Sequence, residues 1–316
     1  MGRLSIMWHK LGANPPLYHH HPPLNADPYS RAGTTDSALT NHGMLQIESL
    51  SQSFASKSIN FDSVFASDLS RARITAEGIC LLQPYKKDGE LVTPILTSDL
   101  RERDFGSWEG IRWQSWSAQT TDTRTSINHS DKVTSMEAIE RETAASMRQR
   151  SLSFLHTHFL PLLFDDPTSK RKVAIVAHGI ILRVLWNCLV ELFDPMSISL
   201  MPGIAAWDGG PAALLSPSWS NTGFMELSIR MKQSPSASPP QRQLTSHELR
   251  VSHNSSTGTE VSSSCSPTGD VLLQGWSMKI LAVDNKEHLA GLRRTRGGIG
   301  SASHDSRQKR IDQFFK

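Results

Sequence analysis

Apolar residues along this chain switch repeatedly between helical and strand spacing. From Thr40 to Leu50 they recur at Met44, Ile47 and Leu50, with Thr40 placed to cap a helix. Phe61 to Ala66 reads as a short strand, and Ser67-Asp68 offers an N-cap for a helix running to about Leu82. A second unit of the same kind is Val173-Ala-Ile-Val-Ala177, a continuous apolar run typical of a strand buried on both faces, followed by His178-Gly179 and a helix from Ile180 to about Leu192. Between the two units, Glu137 to Leu163 has helical spacing, with Met147, Leu152, Leu155 and Phe159 as core contacts and Pro161 expected to bend or end it. Later, Gly223 to Arg230 and Gly275 to Val283 alternate like strands, and the simplest arrangement pairs them. Strands interleaved with helices predict an α/β fold: a three-layer α/β/α sandwich around a mostly parallel central sheet.

Three stretches lack this rhythm. Residues 1–31 carry Pro15, Pro16, Pro22, Pro23, Pro28 and the triplet His19, His20, His21, and are expected to be irregular. Residues 231–268 are rich in Ser, Pro, Gln and Thr, which predicts a disordered insertion between two paired strands of one domain, a loop whose length costs little entropy. Residues 293–316 read as a basic tail. Residues 231–316 hold 12 Lys and Arg against 7 Asp and Glu, so the charge that makes the whole chain +3 resides there.

Bulk properties narrow the class. The 316 residues suffice for a full α/β core, and no run approaches the roughly 18 apolar residues of a membrane span. With no signal-peptide pattern, a soluble intracellular protein is expected, cytoplasmic with the nucleus open. Cys80, Cys188 and Cys265 have unrelated spacings and give no metal-ligand pattern, so no metal is expected.

Three segments carry candidate chemistry. His178 leaves a buried strand at its carboxyl end with a helix directly behind it, where an α/β sheet binds ligands and helix N–H groups suit phosphate. Arg71, in the first turn of the helix after Phe61–Ala66, can reach the same crevice with a planar fork suited to phosphoryl oxygens. Arg73 lies on another face and reads as solvated or ion-paired. Glu102 sits in the loop Asp99-Leu-Arg-Glu-Arg-Asp-Phe-Gly-Ser-Trp-Glu-Gly110, and a carboxyl shielded beside a phosphate site suits a proton donor. Phe105 and Trp108 are expected to fill a core edge.

In order, Thr35-Asp36-Ser-Ala-Leu-Thr-Asn-His-Gly43, Ala66-Ser-Asp-Leu-Ser-Arg-Ala-Arg-Ile-Thr-Ala76, Leu100-Arg-Glu-Arg-Asp-Phe-Gly106, Val176-Ala-His-Gly179 and Asn221-Thr-Gly223 resemble the histidine phosphatase superfamily on its phosphoglycerate mutase-like side, over about residues 32–292. The resemblance implies a phosphoglycerate mutase-like fold without cofactor. It also implies two-step phosphoryl transfer through a phosphohistidine, with Arg71 and His178 binding phosphoryl oxygens and Glu102 as the acid. The family's opening Arg-His-Gly or Arg-His-Ala after a buried strand is absent. His20 falls near the nucleophile's position by counting back from Leu39-Thr40, with no arginine or strand before it. The first strand is therefore expected to be missing or disrupted and catalysis impaired, through either a faulty first segment or a non-catalytic relative, and the retained pocket spacing favours the former.

The tail ends Gln308-Lys-Arg-Ile311-Asp-Gln-Phe314-Phe315-Lys316, which resembles a PIP box, the peptide that docks on the sliding clamp PCNA. Gln308, Ile311, Phe314 and Phe315 would be the contacts, with basic residues steering encounter. A non-catalytic clamp-binding adaptor is thus the alternative function. Direct nucleic-acid binding by Arg293–Arg296 ranks below it, since no aromatics interleave.

Overall fold

Strand β4 (Lys170–His178) explains the layering. Val173, Ile175 and Ala177 are buried in one hydrophobic cluster while Ala174 and Val176 are buried in another, so the alternation of the strand presents apolar side chains to helices on both faces. The computed structural model describes residues 3–11, 33–86, 88–109, 141–165, 170–202, 204, 217, 220–232, 273–292 and 303–305. In chain order these form β1 (Arg3–Leu11), α1 (Asn41–Ser56), β2 (Ser63–Ser67), α2 (Ser70–Leu81) and β3 (Pro94–Thr97). They continue with α3 (Ala144–Phe154), a π-helical turn (Leu155–Phe159), α4 (Leu160–Phe164), β4, α5 (Gly179–Glu191), β5 (Ile198–Leu200), β6 (Phe224–Met231) and β7 (Trp276–Asn285).

The seven strands form one sheet in the order β3-β2-β4-β1-β6-β7-β5. β3, β2, β4 and β1 run parallel; β6 is antiparallel to β1 and to β7, and β5 runs parallel to β7. The expected mostly parallel sheet and three-layer sandwich are observed. Leu50 and Phe54 of α1 and Ala72, Ala76 and Ile79 of α2 pack with Val64 and Ala66 of β2 on one face. Phe154 of α3 and Ile181, Leu185 and Trp186 of α5 pack with Phe65, Met225 and Ile280 on the other. β6 and β7 pair as expected, with Leu227 opposite Ile280; residues 233–272 lie outside the described residues.

The N-terminus corrects the sequence reading. Residues 3–11 are not an irregular substitute for the first strand but that strand itself, parallel to β4 from Arg3↔Lys170 to Leu11↔His178 and antiparallel to β6 from Leu4↔Ile229 to His9↔Phe224. Ladder bonds on both edges make it an interior strand of the sheet. The prolines from Pro15 onward obscured that short run. Residues 12–32, with the histidine triplet, lie outside the described residues.

Helix starts divide into local and distant control. Thr40 caps α1 as expected, its Oγ1 accepting the Gly43 N–H at 3.1 Å. The helix expected from Glu137 begins, among the described residues, at Ala144, with Thr143 as its cap, and Pro161 stands in the first turn of α4 after the π-helical turn. Neither Ser67 nor Asp68 caps α2. Ser70 donates its N–H (3.0 Å) and hydroxyl (2.7 Å) to the Asp36 carboxylate, which arrives from 34 residues earlier, and Asp68 instead receives Arg101 at 2.6–2.7 Å. No helix among the described residues is long and apolar enough to cross a membrane.

Candidate active site

β2 and β4 are adjacent and parallel, so their carboxyl ends deliver α2 and α5 to one edge of the sheet. Arg71, one residue into α2, is 4% exposed. Its Nη2 donates to Gly33 O at 2.6 Å, its Nη1 to Thr35 O at 3.0 Å and its Nε to His178 Nδ1 at 3.2 Å. Burial lowers the guanidinium's pKa, and the charges of Glu102, Asp36 and Glu109 oppose that shift. Arg71 and His178 are therefore in contact, as the sequence reading required. Because Nδ1 accepts from Arg71, the network assigns the His178 ring proton to Nε2.

His178 ends β4, precedes α5 and is 1% exposed. Glu102, also buried, reaches the same helix start: Ile180 N–H donates to its Oε2 and Ile181 N–H to its Oε1, both at 3.2 Å. The loop's own Arg103 N–H adds a bond at 3.0 Å. Two amides at the positive end of α5 thus hold a carboxylate beside the His178 backbone. Arg73 pairs with Glu77 at 2.9 Å on the exposed side of α2, as expected. Phe105 is only partly buried and lies over Gly33 rather than filling the core, and the Trp108 side chain falls outside the described residues.

Several residues of the site went unnoticed in the sequence. Glu109 accepts bonds from Thr34 N–H (2.7 Å), Thr34 Oγ1 (2.9 Å), Thr35 N–H (2.6 Å), Phe105 N–H (3.3 Å) and the Thr35 hydroxyl. Burial opposes its charge, but the bonds from Thr35 and Thr34 outweigh burial and hold its carboxyl below the ordinary range. Glu109 thereby ties the 103–109 loop to the 33–35 loop whose carbonyls hold Arg71. A Cβ on Gly33 would stand 2.3 Å from Arg103 O and 2.4 Å from Glu109 Oε1, so only glycine fits that crossing. Arg150 and Glu142, on and before α3, bind the backbone of the Glu102 loop. Eight residues separate them, a spacing that gives no helical-neighbour signal.

Residues 25–199, more than half of the chain, match the model of the histidine phosphatase superfamily (branch 1). The chain belongs to that superfamily. No curated protein matches it. Among solved structures it is similar to a mycobacterial glucosyl-3-phosphoglycerate phosphatase (18% identity, TM-score 0.45, covering 72% of this chain and 90% of that one). It is also similar to a phosphoglycerate mutase from Bacillus anthracis (18%, 0.45, 72% and 88%) and an alpha-ribazole phosphatase from Shigella flexneri (19%, 0.41, 73% and 91%).

His20 lies outside the described residues. His9 lies on β1, in register with Val176 of β4 and Phe224 of β6, on the strand beside the one that carries His178. The signal was available: Leu4-Ser-Ile-Met-Trp8 before His9 has the outline of Val173–Ala177 before His178. Among the described residues no group of three or more His, Cys, Asp or Glu could hold a metal ion. Gln308, Ile311, Phe314 and Phe315 lie outside the described residues.

Proposed function

We propose that the protein transfers or hydrolyses phosphoryl groups through a phosphohistidine. The observation that carries this reading is the contact between Arg71 and His178 at the carboxyl ends of two adjacent parallel strands, with the Glu102 carboxyl on the helix start that directly follows His178. Among the described residues Arg71 commits one N–H on each Nη to a carbonyl, which leaves a second N–H on each for a phosphoryl oxygen. The His178 Nε2–H is a further donor. Both would stabilise charge that develops on phosphorus oxygens, and Glu102 would protonate the leaving oxygen.

His9 is the nucleophile on this reading. Its register partner, Val176, precedes His178 by two residues. Trp8 and Lys10 flank it where the family motif has arginine and glycine, so turnover is expected to be impaired. Incubation with 32P-labelled p-nitrophenyl phosphate tests this: acid-labile label should appear in the parent chain and vanish in His9→Ala. Label that persists in His9→Ala and vanishes in His20→Ala would move the nucleophile, and no label in any form would sink the reading.

A second reading, compatible with the first, rests on the tail. Gln308, Ile311, Phe314 and Phe315 in the order of a PIP box support docking on PCNA. The full chain should be retained on immobilised PCNA and Phe314→Ala/Phe315→Ala should not. Equal retention of both would exclude this docking mode.

A further inference from the structure

Arg150 sits on α3, yet it is wired to the loop that carries Glu102. Its Nη1 donates to Asp99 O at 2.8 Å and Arg101 O at 2.6 Å, and its Nη2 donates to Glu102 O at 3.3 Å. The remaining two N–H groups go to Glu142, Nε to Oε1 at 2.7 Å and Nη2 to Oε2 at 3.0 Å. All five donors of the fork are thus committed, three of them to the carbonyls of Asp99, Arg101 and the proposed acid Glu102 itself. Glu142 closes the frame from the other side. It accepts the Asp104 N–H at 3.2 Å and Ser146 Oγ at 3.1 Å, its own N–H donates to Asp104 O at 2.9 Å, and its carbonyl takes Arg103 Nε and Nη2 at 3.0 and 2.8 Å. Burial opposes its charge most, but the bond and charge of Arg150 together with the bonds from Asp104 and Ser146 outweigh it and hold its carboxyl below the ordinary range. The pair is mostly buried, with side chains 16% and 12% exposed. The backbone of Asp99, Arg101, Glu102 and Asp104 is therefore pinned, and Glu102 projects from it onto the amides of Ile180 and Ile181.

We infer that Arg150, with Glu142, is the positioning residue for proton donation: it sets Glu102 against the start of α5 and touches no phosphate itself. The inference rests on Glu102 being the acid. A carboxyl displaced by an ångström donates poorly, and that loss shows only when the leaving group needs a proton. Nitrophenolate leaves without one, whereas an alkoxide does not.

The experiment compares p-nitrophenyl phosphate with β-glycerol phosphate in the full chain. Glu102→Ala should lower kcat for the alkyl ester by about 10²–10³-fold and for the aryl ester by less than about tenfold. Arg150→Met should lower the alkyl rate by about 10–100-fold with the aryl rate within about threefold, and should add nothing in a Glu102→Ala background. Arg150→Lys, which keeps charge but loses the fork, should behave like Arg150→Met, and its thermal midpoint reports folding. Equal loss on both esters, or an additive loss in the double variant, would overturn the positioning role. Equal loss in Glu102→Ala itself would overturn the assignment of the acid and the inference with it. Amide exchange reads the same contact without turnover. Ile180 and Ile181 should exchange faster in Arg150→Met and Glu102→Ala while Leu185 in mid-helix does not, and unchanged exchange in Arg150→Met would overturn the inference.

Discussion

At the carboxyl ends of β2 and β4, Arg71 and Glu102 are buried against oriented backbone groups; beside the start of β6, His288 is buried as a neutral ring. Backbone groups do the holding in the first cluster, with Arg71 on two carbonyls and Glu102 on three amides. In the second, His288 Nε2 pairs with Thr222 Oγ1 at 3.0 Å, its ring stacks on Phe224, and burial, with a smaller effect of Lys57, lowers its pKa to about 4. Asp284 nearby takes Ser220 N–H at 2.7 Å, Ser220 Oγ at 2.9 Å and Lys286 at 3.2 Å. The Arg71 guanidinium has backbone carbonyls around it, whereas burial strips His288 of its charge because no comparable set of partners offsets the lost water. Fixed dipoles make that difference, because a buried charge persists only where hydrogen bonds replace its water.

The sharpest way to break this contrast is at the clamp. Arg71→Met should lower kcat/KM for p-nitrophenyl phosphate by about 10³-fold, the scale of losing an oriented oxyanion donor. Circular dichroism should still report the α/β fold; near-parental activity would remove Arg71 from the site. Next, Gly33→Ala forces its Cβ against Arg103 O and Glu109, and should cost about 2–4 kcal/mol by chemical denaturation together with activity. Gly223→Ala is the counterpart in the second cluster, with its Cβ 2.1 Å from Asp284 Oδ1. It should cost about 1–3 kcal/mol, with a smaller activity loss per folded molecule than Gly33→Ala.

Acid should separate the clusters more gently. Below the ordinary histidine value of 6.5 the unfolded chain binds a proton that folded His288 refuses until about pH 4. Stability should therefore fall across that window by about 1–2 kcal/mol and be level above it. His288→Gln should flatten this step in urea titrations; an unchanged pH dependence would place the proton elsewhere. Glu109 and Glu142, held below the ordinary 4.5, change stability in the same direction as His288 but in a lower pH window. Their contribution is complete above 4.5 and fades only at lower pH, so Glu109→Gln should leave the upper step intact.

The strand–helix units, the Thr40 cap, the β6–β7 pairing and the meeting of Arg71 with His178 were all legible, because each depends on short-range periodicity or on the rule that strand ends face ligands. β1 was obscured by the prolines that follow it from Pro15 onward, and Arg150 by its distance from Glu102. Sequence by itself determined the α/β class, the helix-start histidine and the arginine fork. Tertiary structure decided which residues hold them: Asp36 rather than Ser67 at the start of α2, Glu109 under the 33–35 loop, and Arg150 behind Glu102. Periodicity is written in neighbours along the chain, whereas a hydrogen bond needs only atoms within about 3 Å, whichever segments the fold brings together.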